Sequence, residues 1–195
     1  VLEEAGKLFE GEIFPTNVVG HKEGCTWSPE GVTTPAGFPE AYRAFVEGGW
    51  SGLSSEPEYG GQGLPEAIGI AVDEMFASSN MALSLFVILT HGAYLAINAH
   101  ASDELKQTYL PNMVSGKWAG TMCLTEPHAG TDLGMIRARA VPNDDGSYSV
   151  TGTKIYITGG DQDLTENILH LVLAKLPDAP AGVKGISLFL VPKFL

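Results

Sequence analysis

Apolar positions recur with one spacing in the first part of this chain and a different spacing in the last part. Leu2, Ala5, Leu8, Phe9 and Ile13 return at three- and four-residue steps, with Glu3, Glu4, Lys7, Glu10 and Glu12 between them. That pattern predicts an amphipathic helix over 1–17, which Pro15 is expected to end or kink. Residues 20–37, with Gly, Pro and Thr and little periodicity, predict a loop. A short helix is predicted over 38–47, with Pro39 in its first turn. The glycine-rich stretch 48–65 predicts a connection between helices. A further helix over 65–78 would turn Ile68, Ala71, Val72, Met75 and Phe76 inward. Residues 81–101 are apolar nearly all round and are expected to be buried on several sides. Ser102 can cap the next helix, with Asp103 and Glu104 in its first turn and Gly116 at its end.

Beyond residue 116 the period shortens towards two. Strands are predicted over 118–124, 136–141, 148–158, 168–176 and 186–191. Ile136, Ala138 and Ala140 alternate with Arg137 and Arg139, and Asn143-Asp144-Asp145-Gly146 carries hairpin-turn chemistry. The expected fold class is α+β: an all-helical N-terminal domain over 1–116, then an antiparallel β-domain over 117–195.

Composition narrows the function classes. An apolar content of 44% and a charged content of 17% over 195 residues describe an ordered globular chain. The net charge of −12, with only 11 basic residues, speaks against a nucleic-acid binder. Cys25 and Cys123 form no CxxC pair, which fits a reduced, cytoplasmic chain and leaves one disulfide open. The longest apolar run, 81–89, is shorter than a membrane span. His21, His91, His100, His128 and His170 show no ligand spacing, so no metal site is expected. The chain starts in mid-helix without an initiator methionine, so we expect a piece of a longer protein.

Candidate chemistry concentrates in Thr121-Met122-Cys123-Leu124-Thr125-Glu126-Pro127-His128-Ala129-Gly130-Thr131-Asp132. An apolar strand there runs into a loop broken by Pro127 and Gly130 and rich in short polar groups. This is a binding loop on a β-scaffold with its ligand unspecified. Glu126 and Asp132 resemble an acid pair, but hydrogen bonds to loop backbone suit them better. Gly61-Gln62-Gly63-Leu64-Pro65-Glu66 fails as a dinucleotide fingerprint: glutamate replaces the third glycine and no strand precedes it. Ser51, in Gly49-Trp50-Ser51-Gly52, lacks nucleophile-elbow spacing.

Cys123-Leu124-Thr125-Glu126-Pro127 with Ala129-Gly130-Thr131-Asp132 resembles the flavin-site signature of the acyl-CoA dehydrogenase family. Gly152-Thr153-Lys154-Ile155-Tyr156-Ile157-Thr158-Gly159-Gly160 is similar to the family's second block, in the right order and at the right separation. The wording of residues 126–134, 163–167 and 184–192 is similar to a subgroup that includes the 3-methylmercaptopropionyl-CoA dehydrogenases. The resemblance implies a helical domain followed by a central β-domain, the latter cut short at Leu195, with a C-terminal helical domain absent.

The resemblance also implies roles. FAD would be contacted by Met122, Leu124, Thr125 and Thr131 in the first block and by Tyr156, Ile157 and Thr158 in the second. Tyr156 stands where many members carry tryptophan, and Thr131 where many carry a serine that touches the acyl-CoA. The implied reaction is α,β-dehydrogenation of an acyl-CoA to a trans-2-enoyl-CoA, with electrons passed to an electron-transfer flavoprotein. The family's catalytic base is a glutamate of the C-terminal domain, so no catalytic residue is assigned here and the chain alone is expected to be inactive. Relatives are homo-oligomers. An acyl-CoA oxidase and a non-catalytic flavin- or CoA-binding or assembly module remain open.

Overall fold

A computed structural model describes all 195 residues. Helix α1 (Leu2–Leu8) passes through a π-helical segment, Phe9–Ile13, into α2 (Phe14–Glu23) without a break. Pro15 therefore does not end the helix. It lies in the first turn of α2, directly after the widened π turn, where the Phe14 N–H reaches back to the Phe9 carbonyl. The wider turn accommodates a residue that has no N–H to donate. The helix stops at Gly24, whose φ of 65° is left-handed. The predicted loop over 20–37 is thus the last turn of α2 followed by a small antiparallel hairpin, β1 (Thr26–Ser28) and β2 (Gly31–Thr33), so the helical part is not wholly helical.

Helices α3 (Phe38–Glu47), α4 (Glu66–Ser79), α5 (Met81–His100) and α6 (Asp103–Val114) follow the sequence pattern closely. Phe9, Phe45 and Phe76 form the centre of the helical core, with ring centroids 5.0–6.4 Å apart. Ile13, Val72 and Leu83 close around them. Asn80 caps α5 by accepting from the Leu83 N–H at 3.0 Å, and its amide donates to the Thr16 hydroxyl at 2.8 Å.

Helix α5 differs from expectation. Leu83, Ala93, Tyr94 and Ile97 are buried, but Met81, Leu85, Ile88 and Leu95 face solvent. An all-round apolar sequence hides which face has a partner, and here one face has none. By length and composition α5 could cross a membrane; in this structure it packs against α4, α6 and the first strand of the sheet.

That sheet contains β3 (Trp118–Cys123), β4 (Arg139–Pro142), β5 (Tyr148–Thr151), β6 (Asn167–Lys175) and β7 (Ile186–Pro192). The pairs β4–β5 and β6–β7 are antiparallel. The pair β3–β6 is parallel, from Trp118↔Asn167 to Cys123↔Val172, and β4 meets β6 in parallel at Arg139↔Lys175. The sheet is therefore mixed, not purely antiparallel. Residues 124–166 carry the chain back to the end where β3 began, and a return of that kind produces a parallel neighbour.

Two predicted strands are shorter than expected. Arg137 and Ala138 donate their N–H groups to the Glu126 carboxylate, so β4 starts only at Arg139. Strand β5 stops at Thr151, and residues 152–156 belong to no strand. Gly152 there lies so close to Ala138 that an added Cβ would sit 2.8 Å from the alanine Cβ.

Helices and sheet share one core. Tyr94, Ile97, Leu110 and Met113 pack against Leu169 and Leu171. Gly120 permits this approach, since a Cβ there would fall 2.5 Å from the Cβ of Ala93. The Gly120 N–H donates to the Thr90 hydroxyl of α5 at 3.0 Å.

Candidate functional site

Strand β3 delivers the first candidate segment. After Cys123 the chain leaves the sheet, and its carbonyls find new donors. The Leu124 carbonyl accepts from the Lys154 ammonium at 3.1 Å, and the Thr125 carbonyl accepts from the Ile155 N–H at 2.9 Å. Glu126 and Ala129 exchange backbone hydrogen bonds of 2.8 and 3.1 Å, closing a tight turn around Pro127 and His128.

Glu126 is the buried polar centre of this region. Its carboxylate accepts from the Arg137 N–H at 2.7 Å, the Ala138 N–H at 2.9 Å and the Lys154 ammonium at 2.9 Å. Burial alone would raise its pKa. The Arg137 amide, the Lys154 ammonium and the Ala138 amide outweigh that and hold the carboxyl below its ordinary value. Asp132 accepts from the Gly134 N–H at 3.1 Å. The two acids therefore serve loop backbone, as their sequence context suggested.

The second candidate segment is the stretch after β5. Tyr156 is the one non-glycine residue with a left-handed backbone, at φ 58°, and the residue is 89% exposed. A bulky residue held in that region is strained, and such strain clusters at ligand sites. Gly159, at φ 66°, lets the chain pass close to Phe86 of α5, and the Gly160 N–H closes a turn onto the Ile157 carbonyl at 3.0 Å.

The bond between Thr125 and Ile155 sets Leu124 and Thr125 beside the segment that carries Tyr156, Ile157 and Thr158. Leu124, Thr125 and Ile157 are half-buried, while Met122, Tyr156 and Thr158 are exposed. Thr131 is exposed one residue beyond Gly130, where an added Cβ would lie 3.7 Å from the Thr125 methyl. Met122 alternates with Cys123 along β3 and shares the face of Gly120, against which α5 packs. Ile157 lines a cleft of about 290 Å³ with Cys123, Ala138, Lys154, His170 and Val191. The candidates thus meet around the end of β3 but do not all point to one side.

The cleft is apolar apart from Cys123, Lys154 and His170. Both cysteines are free thiols. Burial pushes the Cys123 thiol up, against smaller opposing effects of the Thr121 hydroxyl and Lys154. His170 Nδ1 lies 2.7 Å from the Thr121 hydroxyl; burial, then Lys193, pushes its pKa down, with Asp161 opposing. Sequence reasoning singled out neither Lys154 nor His170 for a specific contact. For His170 the available signal was a polar residue inside the otherwise apolar run 168–174.

The glycine-rich connection is occupied with itself. The amides of Gly61, Gln62, Gly63 and Leu64 donate to the carbonyls of Glu56, Gly52, Ser55 and Leu53. None of those donors is left to face a phosphate.

Comparison with known proteins adds an independent finding. Residues 27–117 match the acyl-CoA dehydrogenase N-terminal domain and residues 121–194 the acyl-CoA dehydrogenase middle domain. The chain is 48% identical over 194 residues to 3-methylmercaptopropionyl-CoA dehydrogenase of Ruegeria pomeroyi, covering 100% of this chain and 33% of that protein. It superposes on butyryl-CoA dehydrogenase of Megasphaera elsdenii with a TM-score of 0.79 at 25% identity, covering 99% of this chain and 47% of that one. An acyl-CoA dehydrogenase of Bacillus anthracis, solved with FAD, shares the fold at a TM-score of 0.75 and 24% identity over 99% of this chain and 30% of its own. The chain spans about a third of the length of the first relative and under half of the solved ones.

Proposed function

This chain belongs to the acyl-CoA dehydrogenase family, and we propose that it forms the helical and flavin-facing part of an FAD-dependent enzyme that dehydrogenates an acyl-CoA thioester. One observation carries the reading. The two candidate flavin segments, far apart in sequence, are bonded to each other through Thr125 and Ile155 at 2.9 Å. The exposed, left-handed Tyr156 beside that bond is the kind of residue that a flat ligand would cover.

The residues present fit a flavin. Leu124 and the ring of Tyr156 offer apolar and aromatic contact, and the Thr125 and Thr158 hydroxyls offer hydrogen bonds to a polar ring edge. Met122 and Ile157 would add apolar contact at the margins. Thr131 would meet the acyl-CoA from the exposed loop. Flavin, when bound, supplies the acceptor for the hydride that leaves the acyl β-carbon. This chain's residues hold and orient; none is assigned the removal of the α-proton, and Glu126 is excluded because its carboxylate is already bonded to two amides and an ammonium. By the same resemblance, an electron-transfer flavoprotein is the expected electron acceptor, and a homo-oligomer the expected assembly.

The test is anaerobic mixing of the natural full-length protein, loaded with FAD, with a series of acyl-CoA thioesters. Bleaching of the flavin band, with formation of enoyl-CoA, is the expected result. An FAD-loaded protein that no acyl-CoA reduces would refute the proposal.

A further inference from the structure

Lys154 belongs to the second candidate flavin segment and reaches across to the first, and the flavin reading above gives it no ligand to contact. Its ammonium donates to the Leu124 carbonyl at 3.1 Å and to Glu126 Oε1 at 2.9 Å. The Lys154 side chain is 10% exposed and that of Glu126 2%. No strand pairing joins residues 152–156 to 124–126. What joins them is the Ile155–Thr125 backbone bond and the two bonds made by Lys154. Glu126 extends the link to a third segment through the amides of Arg137 and Ala138.

A buried ion pair is weak evidence for stability, because desolvation offsets most of its attraction. Its geometric demand is the more informative property. Both partners keep their full set of bonds only when all three segments hold their present spacing. A shift of either segment would leave a buried charge without its partner, which is strongly disfavoured. We propose that Glu126 and Lys154 act as positioning residues, a clasp that fixes the spacing between Leu124–Thr125 and Tyr156–Thr158 and so sets the affinity and orientation of the flavin. The proposal rests on the flavin reading above. It adds a function for two residues that touch neither flavin nor substrate in that reading.

One further polar side chain, that of His128, reaches the carboxylate, on its other oxygen. His128 Nε2 is 3.0 Å from the Met135 carbonyl and 3.5 Å from Glu126 Oε2, on the side of the carboxylate away from Lys154. Replacing lysine by methionine keeps an unbranched apolar stem, loses the ammonium and removes both bonds. Glu126 then retains its two amide donors, and the two segments retain a single backbone bond.

The experiment uses the natural full-length protein and its Lys154→Met, Glu126→Gln, Lys154→Met/Glu126→Gln and Lys154→Arg variants. FAD affinity and the visible circular dichroism of the bound flavin are measured well below the unfolding temperature. Removing a buried, charge-assisted hydrogen bond costs about 1.5–3 kcal/mol, which is about 10- to 160-fold if it falls wholly on flavin binding. We expect each of Lys154→Met and Glu126→Gln to weaken FAD by about tenfold or more and to alter the dichroism. The double variant should be no worse than the worse single one, because one clasp is lost only once. Lys154→Arg, which keeps the charge, should recover much of the affinity, and it stands in if Lys154→Met does not fold. Variants that bind FAD with wild-type affinity and dichroism overturn the clasp, as do losses that simply multiply in the double variant. Wild-type protein that binds no FAD overturns the flavin reading first, and that outcome is visible before any variant is compared.

Discussion

Tyr156 provides a test in which backbone and side chain give separable signals. Its φ of 58° is left-handed, and with 89% of the residue exposed its ring contributes little packing to the fold. Two substitutions remove the ring equally, but only one relieves the backbone. Tyr156→Ala keeps a Cβ, which in the left-handed region costs about 1–2 kcal/mol. Tyr156→Gly removes that cost but adds about 0.4–1 kcal/mol of unfolded-chain entropy. At the middle of those ranges the glycine variant should therefore be more stable than the alanine variant by about 0.8 kcal/mol. With a urea slope of about 2 kcal/mol per molar, the midpoints should differ by about 0.4 M. Tyr156→Ala should sit close to wild type, since both carry a Cβ in the same strained position. Flavin affinity should behave differently: both variants lose one aromatic contact worth about 0.5–1.5 kcal/mol, so both should weaken FAD by about 2- to 13-fold in the full-length protein. Urea titrations and FAD binding on the same preparations read the two effects. An alanine variant as stable as the glycine variant would refute the left-handed backbone, and unchanged FAD affinity would refute ligand contact by the ring.

Other expectations concern the scaffold. Gly120→Ala would place a Cβ 2.5 Å from the Ala93 Cβ and 2.9 Å from the Met113 methyl, which should cost about 1–3 kcal/mol and lower the thermal midpoint. Asn80→Ala removes the α5 cap and the donor to Thr16; a loss of about 2 kcal/mol in chemical unfolding is expected. Burial pushes the pKa of His170 below the ordinary value of 6.5 in the fold. Unfolded chains therefore take up its proton first, and stability should fall as pH drops below about 6.5; His170→Gln should flatten that part of the pH–stability curve. Glu126 is likewise depressed, from 4.5. Its contribution should be complete above that pH and be lost as pH falls through the folded value, so an acid unfolding titration of Glu126→Gln should lack that step.

Local pattern made the helices readable. The four from α3 onward fall within a residue or two of expectation, because three- and four-residue spacing, Pro39, Ser102 and Gly116 are all local signals. Partners were less readable than periods. The apolar sequence of α5 gave no way to tell its buried Leu83–Ala93–Ile97 side from its exposed Met81–Leu85–Ile88–Leu95 side. The parallel pairing of β3 with β6 depends on where residues 124–166 return, which no strand pattern records. The candidate site was legible as two blocks of residues, and Glu126 as a backbone acceptor. The donors that decide its chemistry lie 11, 12 and 28 residues further on, outside any window of periodicity. Tyr156 reads as a strand residue in an apolar run; its left-handed backbone is imposed by what surrounds it.

These features explain why the first candidate segment sits where the two halves of the fold meet. Strand β3 is held on one side by β6 and on the other face by α5, with the Thr90 hydroxyl taking the Gly120 N–H that no strand satisfies. Parallel pairing with β6 ends at Cys123↔Val172. Beyond that point the Leu124 and Thr125 carbonyls would be orphaned unless another segment supplied donors, and buried carbonyls rarely stay unpaired. Lys154 and Ile155 supply them. The need to satisfy a strand end is thus met by the very residues that bring the second block alongside the first. The spacing of the two blocks is thereby tied to the seating of β3 on α5, so packing changes at Gly120 or Ala93 should reach Tyr156 through β3 and Lys154, with no ligand contact of their own.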